Sequence, residues 1–293
     1  LINLGQDKNS MSLRNRQTHA LIKSGWIRAV LLFIIYLSAA VLTGWVIGLY
    51  AIGKAVTEND VPAPWIIFSS LFSIILVFLF RKFVDRRSFN SIGLSLSQFY
   101  PGGVIGLLAG LFLVSTGGLV IYLMGGLQWT DVLYSNDVFL SIGLLLLVAF
   151  SEELVFRGYM LRNLLKSFNQ WLSLAISAFL FALVHLMNPG IPVVGIVNII
   201  LGGLVLGITY MNTRNLWMPV LFHFSWNFFQ GPVLGFPVSG LSFKSILSAT
   251  LSGNDLLTGG SFGFEGSIIC TVLLLITFLT FVLSGRLKTT DPA

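Results

Sequence analysis

Charge is scarce in this chain and cysteine is nearly absent. Of 293 residues, 10% are charged, three are histidine and one, Cys270, is cysteine. A single thiol excludes an intrachain disulfide and any Cys-based metal site. So few charges cannot cover a soluble surface, which carries roughly 25–35% charged residues. Hydrophobic residues make up 55% of the chain and the mean hydropathy is +0.89. This composition belongs to a polytopic membrane protein, with the lipid bilayer as its first partner. No internal repeat or low-complexity tract is visible, and the missing inverted repeat argues against a secondary transporter. A secretory signal is not expected, because the first apolar stretch is too long for a signal h-region. The chain begins at Leu1, and Met11 is a candidate start.

What is abundant is apolar length. Eight segments read as membrane spans: Trp26–Gly53, Pro64–Phe80, Pro101–Leu127, Val138–Leu165, Trp171–Met187, Ile191–Met211, Leu216–Leu234 and Gly266–Gly285. The loop charges alternate. Lys8, Arg14, Arg16, Lys23 and Arg28 share one side with Arg81, Lys82, Arg86 and Arg87. Arg157, Arg162 and Lys166 join them, as do Arg214, Arg286 and Lys288. The other side holds only Lys54 and Lys244 of the 17 basic residues. The positive-inside rule puts both termini in the cytoplasm, which an even number of spans satisfies. The net charge of +6 is thereby explained by topology, and no nucleic-acid partner is expected. The expected fold is an all-α transmembrane bundle over 26–285 with a core at 138–234. A basic tail (1–25) and a short tail (286–293) flank it. Such a protein is multi-pass and resides in an inner or plasma membrane. The Arg81–Arg87 cluster reads as an orientation signal or headgroup contact, and the loop Gly235–Glu265 as the site of a short re-entrant or surface helix.

Against this background the chain keeps Ser151-Glu-Glu-Leu-Val-Phe-Arg157 inside an apolar run. A carboxylate at the bilayer centre costs roughly 2.5–3.5 kcal/mol even on insertion scales, so intramembrane ionisable groups are functional candidates. His19 lies in the basic tail and reads as solvated. His185 and His223 lie inside apolar spans, in Phe181-x-x-x-His185 and His223-x-x-x-Asn227. Residues four apart share a helix face, so Glu153 can pair with Arg157, and each of the other two motifs also presents one face. Glu152 is turned about 100° from Glu153, so one helix cannot aim both at one point. One glutamate is expected to do chemistry and the other to support it, with Arg157 as its partner. A hairpin turning near Asn169 would set Glu153 and His185 at equal height, each about 24 Å from the turn. His223, nine residues past Arg214, would join them in a cavity opening to the cytoplasm.

Two chemistries use these parts. A glutamate beside a histidine takes a proton from water and returns it to a leaving amine, while His223 and Asn227 donate to an oxyanion. Alternatively Glu152, His185 and His223 form a His/His/Glu zinc set with an open position for water. Blander readings exist for each part. Glu153–Arg157 serves equally as an insertable ion pair, a buried histidine as an interhelical hydrogen-bonder, and Phe222, Phe224, Trp226, Phe228 and Phe229 as lipid-facing packing.

The three motifs in this order resemble the CAAX-processing and bacteriocin-processing (Abi) intramembrane proteases, relatives of the type II CAAX prenyl endopeptidase. The resemblance covers about Phe150 to Gln230. Ser91-Ile-Gly-Leu94 and Asn215-Leu-Trp-Met-Pro219 are also similar to family members. It implies a water-accessible cavity in the inner leaflet, with Glu152 as general base and Glu153 as auxiliary acid or supporting partner. Arg157 would position the glutamates or the substrate. His185 would orient water or bind metal, and His223 and Asn227 would form the oxyanion or metal side. The family is labelled metalloprotease, and a metal-free glutamate mechanism has also been proposed for it. The expected substrate is a peptide or protein, prenylated in the eukaryotic relative. A non-catalytic scaffold or bacteriocin self-immunity protein is the competing class.

Overall fold

The computed structural model describes residues 20–54, 63–96, 99–132 and 137–284. The tail residues Lys8, Met11, Arg14, Arg16, His19, Arg286 and Lys288 lie outside that set. The described chain is mostly helical, and the helices follow the apolar runs within a few residues of their expected ends. They are α1 (Gly25–Lys54), α2 (Ala63–Leu79), α3 (Val104–Leu123), α4 (Asp137–Glu153), α5 (Gln170–His185), α6 (Val193–Thr213), α7 (Trp217–Phe228), the four-residue α8 (Asp255–Thr258) and α9 (Ile268–Ser284). Extended by their terminal turns, five are long and apolar enough to cross a membrane: Gly25–Val46, Ala63–Val84, Phe99–Leu123, Asp137–Leu164 and Val193–Thr213. Large apolar side chains such as Leu42, Trp45, Phe112, Leu123, Phe139 and Leu283 face outward, as lipid-facing helices require.

Helix α7 is the hub. It packs on α3, α4 and α6, and α6 packs in turn on α5 and α9. The α3–α7 contact depends on glycine. A Cβ on Gly106 would lie 2.2 Å from the Met218 carbonyl oxygen, and one on Gly110 would lie 2.7 Å from that of Phe222. Small residues let backbones approach this closely, which compensates for the absence of a hydrophobic drive between helices in lipid. The central position of α7 corrects the expectation for its aromatic run. Phe222 and Trp226 are buried, and Phe224, Phe228 and Phe229 are partly so.

The basic end is also less superficial than its composition suggests. Arg28 and Arg81 both pair with the buried Asp85, at 2.7 and 2.5 Å, and the Tyr159 hydroxyl donates to the same carboxylate at 3.2 Å. Arg81 also bonds the Ser91 hydroxyl. Arg81 is therefore a buried structural cation, not a headgroup contact, and the Asp85 carboxylate that it holds ties α1 and Tyr159 to this end of α2.

The opposite end carries features absent from an all-α expectation. Strands β1 (Leu127–Val132) and β2 (Leu247–Leu251) pair antiparallel, with Leu127 opposite Leu251 and Trp129 opposite Ala249. Trp129 Nε1 donates to the Leu234 carbonyl at 2.9 Å, pinning this ribbon to the end of α7. The segment from 234 to 267 folds back onto the bundle and buries Phe236, Val238, Phe262 and Phe264. Its one α-helix, α8, is a single turn capped by Asn254.

Candidate active site

The site begins where α4 changes its winding. After Glu153 the helix continues as a π-helical stretch, Leu154–Leu161, all eight residues of which are buried. Such wide turns commonly mark functional positions. Here the stretch starts at the glutamate pair and contains Arg157. Helix α5 runs back alongside it from Asn169, whose side chain caps the helix by accepting from Leu172 N at 2.9 Å.

The two glutamates are separated in role by geometry. Glu153 is fully buried. Its Oε1 receives Arg157 Nη1 at 2.7 Å and His223 Nδ1 at 3.0 Å. Arg157, equally buried, donates from Nη2 to the Gly203 carbonyl at 3.1 Å and stacks its guanidinium 4.5 Å from the Phe181 ring centroid. Glu152 points elsewhere, into a cavity of about 260 Å³, where its side chain is 21% exposed. Its Oε2 lies 4.0 Å from His185 Nε2 and 3.9 Å from His223 Nε2.

Both imidazoles are oriented from behind. His185 Nδ1 is 2.7 Å from the Phe181 carbonyl oxygen, which can only accept, so Nδ1 carries the proton. His223 Nδ1 faces the Glu153 carboxylate in the same way. In the neutral rings this leaves each Nε2 as a lone pair directed towards Glu152. Glu152 Oε2 is itself buried and has no hydrogen-bond partner. A water between them has two protons for these three acceptors, so it bonds Glu152 Oε2 and one imidazole at a time. Asn227, one turn beyond His223, lines the same cavity. Its side chain has no hydrogen bond to protein among the described residues, so its amide is free to meet a ligand. All six residues singled out from sequence thus fall in one cluster.

The same atoms were tested as a metal site. Two ligand atoms on a tetrahedral zinc with bonds of 2.0–2.1 Å stand about 3.3 Å apart. The separations of 3.9 and 4.0 Å are wider, and the described residues include no cluster of three His, Cys, Asp or Glu spaced for an ion. As they stand, these side chains do not fit the metal, and no step is derived through it.

The cavity runs in an unexpected direction. It extends from Glu152 past Asn198 and Cys270 to Asn188, Ser239, Leu241, Phe243 and Glu265. Those last residues belong to the face of the 234–267 segment. No residue of the basic end lines it. The cavity therefore extends towards the end poor in basic residues, where the 234–267 segment forms part of its wall. Ser239 and Glu265 are the lining groups that sequence reasoning missed. The signal for them was Glu265 itself, one of two carboxylates, with Asp255, in a Gly-, Ser- and Leu-rich loop. Glu152 also borders a second space of about 200 Å³ between α1, α2 and α4, lined by Tyr36, Thr43, Phe68 and Ser73.

None of the curated proteins compared matches the chain. A family model, Rce1-like, described as type II CAAX prenyl endopeptidase, matches residues 134–229, a span that holds all six clustered residues. Over this segment the chain is similar to the Rce1-like family of type II CAAX prenyl endopeptidases.

Proposed function

We propose that this protein is an intramembrane endopeptidase in which Glu152 activates water against a peptide bond. The observation that supports this most is the approach of two oriented histidine Nε2 atoms to Glu152 Oε2, at 4.0 and 3.9 Å, inside a cavity. Glu152 removes a proton from water, and the hydroxide oxygen bonds to the scissile carbonyl carbon. The displaced electron pair goes to the carbonyl oxygen, where the Asn227 amide donates to it. As the C–N bond breaks, Glu152 returns the proton to the leaving nitrogen. His185 and His223 hold the water. Glu153 and Arg157 act through His223, positioning it from the side away from substrate. The family match over residues 134–229 supports protease chemistry in this segment, and the core that we assign at 138–234 lies largely within it.

In our reading the five long helices and the three shorter ones, α5, α7 and α9, together make eight spans, and the basic end is cytoplasmic. The cavity then faces the other side of the membrane. This favours peptides that reach the outer face, such as exported precursors or membrane-protein segments, over cytoplasmic prenylated tails. The test is cleavage of quenched fluorescent peptides, farnesylated and plain, by the detergent-purified chain. Cleavage is expected to vanish in Glu152→Ala and to survive a strong zinc chelator. Cleavage that persists in Glu152→Ala sinks the assignment of the base. Loss with chelator replaces metal-free chemistry by zinc. An intact, folded protein that cuts nothing shifts the reading to a membrane scaffold.

A further inference from the structure

The wall of the cavity contains a charged group that the reaction scheme does not use. Glu265 lies just before α9 and lines the cavity with Leu241, Phe243, Cys270 and Leu274. Its position is fixed from two sides. Its backbone carbonyl accepts from Asn198 Nδ2, on α6, at 2.7 Å. Its carboxylate Oε2 accepts from the Ser239 backbone N at 2.6 Å and from the Ser239 hydroxyl at 2.5 Å.

Ser239 needs that support. It has φ of +50°, and Gly240 follows at +84°. Reciprocal 2.9 Å bonds between Val238 and Leu241 close these two residues into a tight hairpin turn with both central φ angles positive. A residue with a side chain is disfavoured there, and the glutamate bonds offset the cost. The turn is also pressed against the loop that follows His185, since a Cβ on Gly240 would lie 2.3 Å from the Pro189 carbonyl oxygen.

Holding the turn occupies only Oε2. Among the described residues, Oε1 has no hydrogen-bond partner, and no lysine, arginine or histidine pairs with this carboxylate. A carboxylate oxygen that borders a cavity and has no counter-ion is open to a charge-assisted bond from a cation brought to it. From this we infer that Glu265 is a cation-binding subsite, receiving the ammonium or guanidinium group of a basic residue in the peptide that Glu152 cleaves. The inference rests on the endopeptidase reading, and it selects substrates with a lysine or arginine displaced from the scissile bond.

The test compares two dye-labelled apolar octapeptides, identical except for a central lysine or norleucine. Binding to the detergent-purified full chain is read by fluorescence anisotropy. The lysine peptide is expected to bind about tenfold more tightly than the norleucine peptide. E265Q keeps an oxygen to accept from Ser239 but loses the charge. It should bind both peptides equally, with unchanged affinity for norleucine, while E265D retains the preference. The same preference in wild type and E265Q, or none in wild type, overturns the subsite and leaves Glu265 as an anchor of the turn. Cleavage of the same peptides separates the two claims. Preference without cleavage refutes the protease reading alone, and cleavage without preference refutes the subsite alone.

Discussion

Removing Arg157 should damage this protein more than removing Arg157 and the charge of Glu153 together. Both side chains are at 0% exposure, joined at 2.7 Å. Arg157→Met leaves a carboxylate in a water-poor interior with only His223 to answer it. Breaking a buried pair from one side typically costs about 3–5 kcal/mol. It also removes the second donor of the Gly203 carbonyl, which lies inside α6 and keeps its helical partner. Glu153→Gln in the same background neutralises the stranded charge, and its amide oxygen still accepts from His223 Nδ1. What remains is the loss of that second bond to the Gly203 carbonyl, about 0.5–1.5 kcal/mol. The double variant should therefore recover roughly 3 kcal/mol relative to Arg157→Met. The pair is not ideally solvated in any case. Glu153 Oε2 and Arg157 Nε are both buried without partners, which further limits what its loss as a unit can cost. The assay is reversible denaturation in mixed micelles with rising SDS, followed by tryptophan fluorescence, on wild type, both single variants and the double variant. Strictly additive losses would refute the reasoning. They would mean that the two charges are solvated independently and that the buried pair is not a unit.

Three further outcomes follow from the same geometry. Asn227→Ala should lower kcat by about 10²–10³ with little change in KM, because its amide acts on charge that develops only in the transition state. An equal loss carried in KM would make Asn227 a ground-state binding group. Gly106→Ala should cost about 1–3 kcal/mol in the SDS assay, since its Cβ would sit 2.2 Å from the Met218 carbonyl oxygen and push α3 off α7. Unchanged stability would show that the two helices are not in close contact. In a Cys270→Ala background, Ser242→Cys, exposed in the 234–267 segment, should react with an impermeant maleimide added outside intact cells. Labelling only after lysis would reverse the assigned orientation and return the cavity to the cytoplasmic side.

Some of this site was readable without coordinates. Glu153 and Arg157 stand four residues apart, and so do the ends of the other two motifs, and helical geometry puts such pairs on one face whatever surrounds them. The opposed directions of Glu152 and Glu153 followed from the same periodicity. The equal heights of Glu153 and His185 needed only a turn near Asn169, which its capping side chain supplies. Other features gave no local signal. The π-helical stretch after Glu153 has no distinctive pattern, and Arg81 looked like any juxtamembrane cation. Its burial depends on Asp85 and Ser91, and on Arg28 bringing α1 to the same carboxylate.

Sequence alone thus determined the helical, membrane-embedded character of the chain, the approximate limits of its helices and the faces that carry charge. These are properties of hydropathy and of a 3.6-residue period, both local. Tertiary structure decided that three separate helices meet at Glu152, and that α7 is central rather than lipid-facing. It also decided that the cavity runs towards the end poor in basic residues, with Ser239 and Glu265 on its wall. Each of these depends on close approaches between segments distant in the chain, such as Gly106 on Met218 and Ser239 on Glu265. Such contacts are set by packing and by the need to satisfy buried polar groups, and no short window of sequence records them.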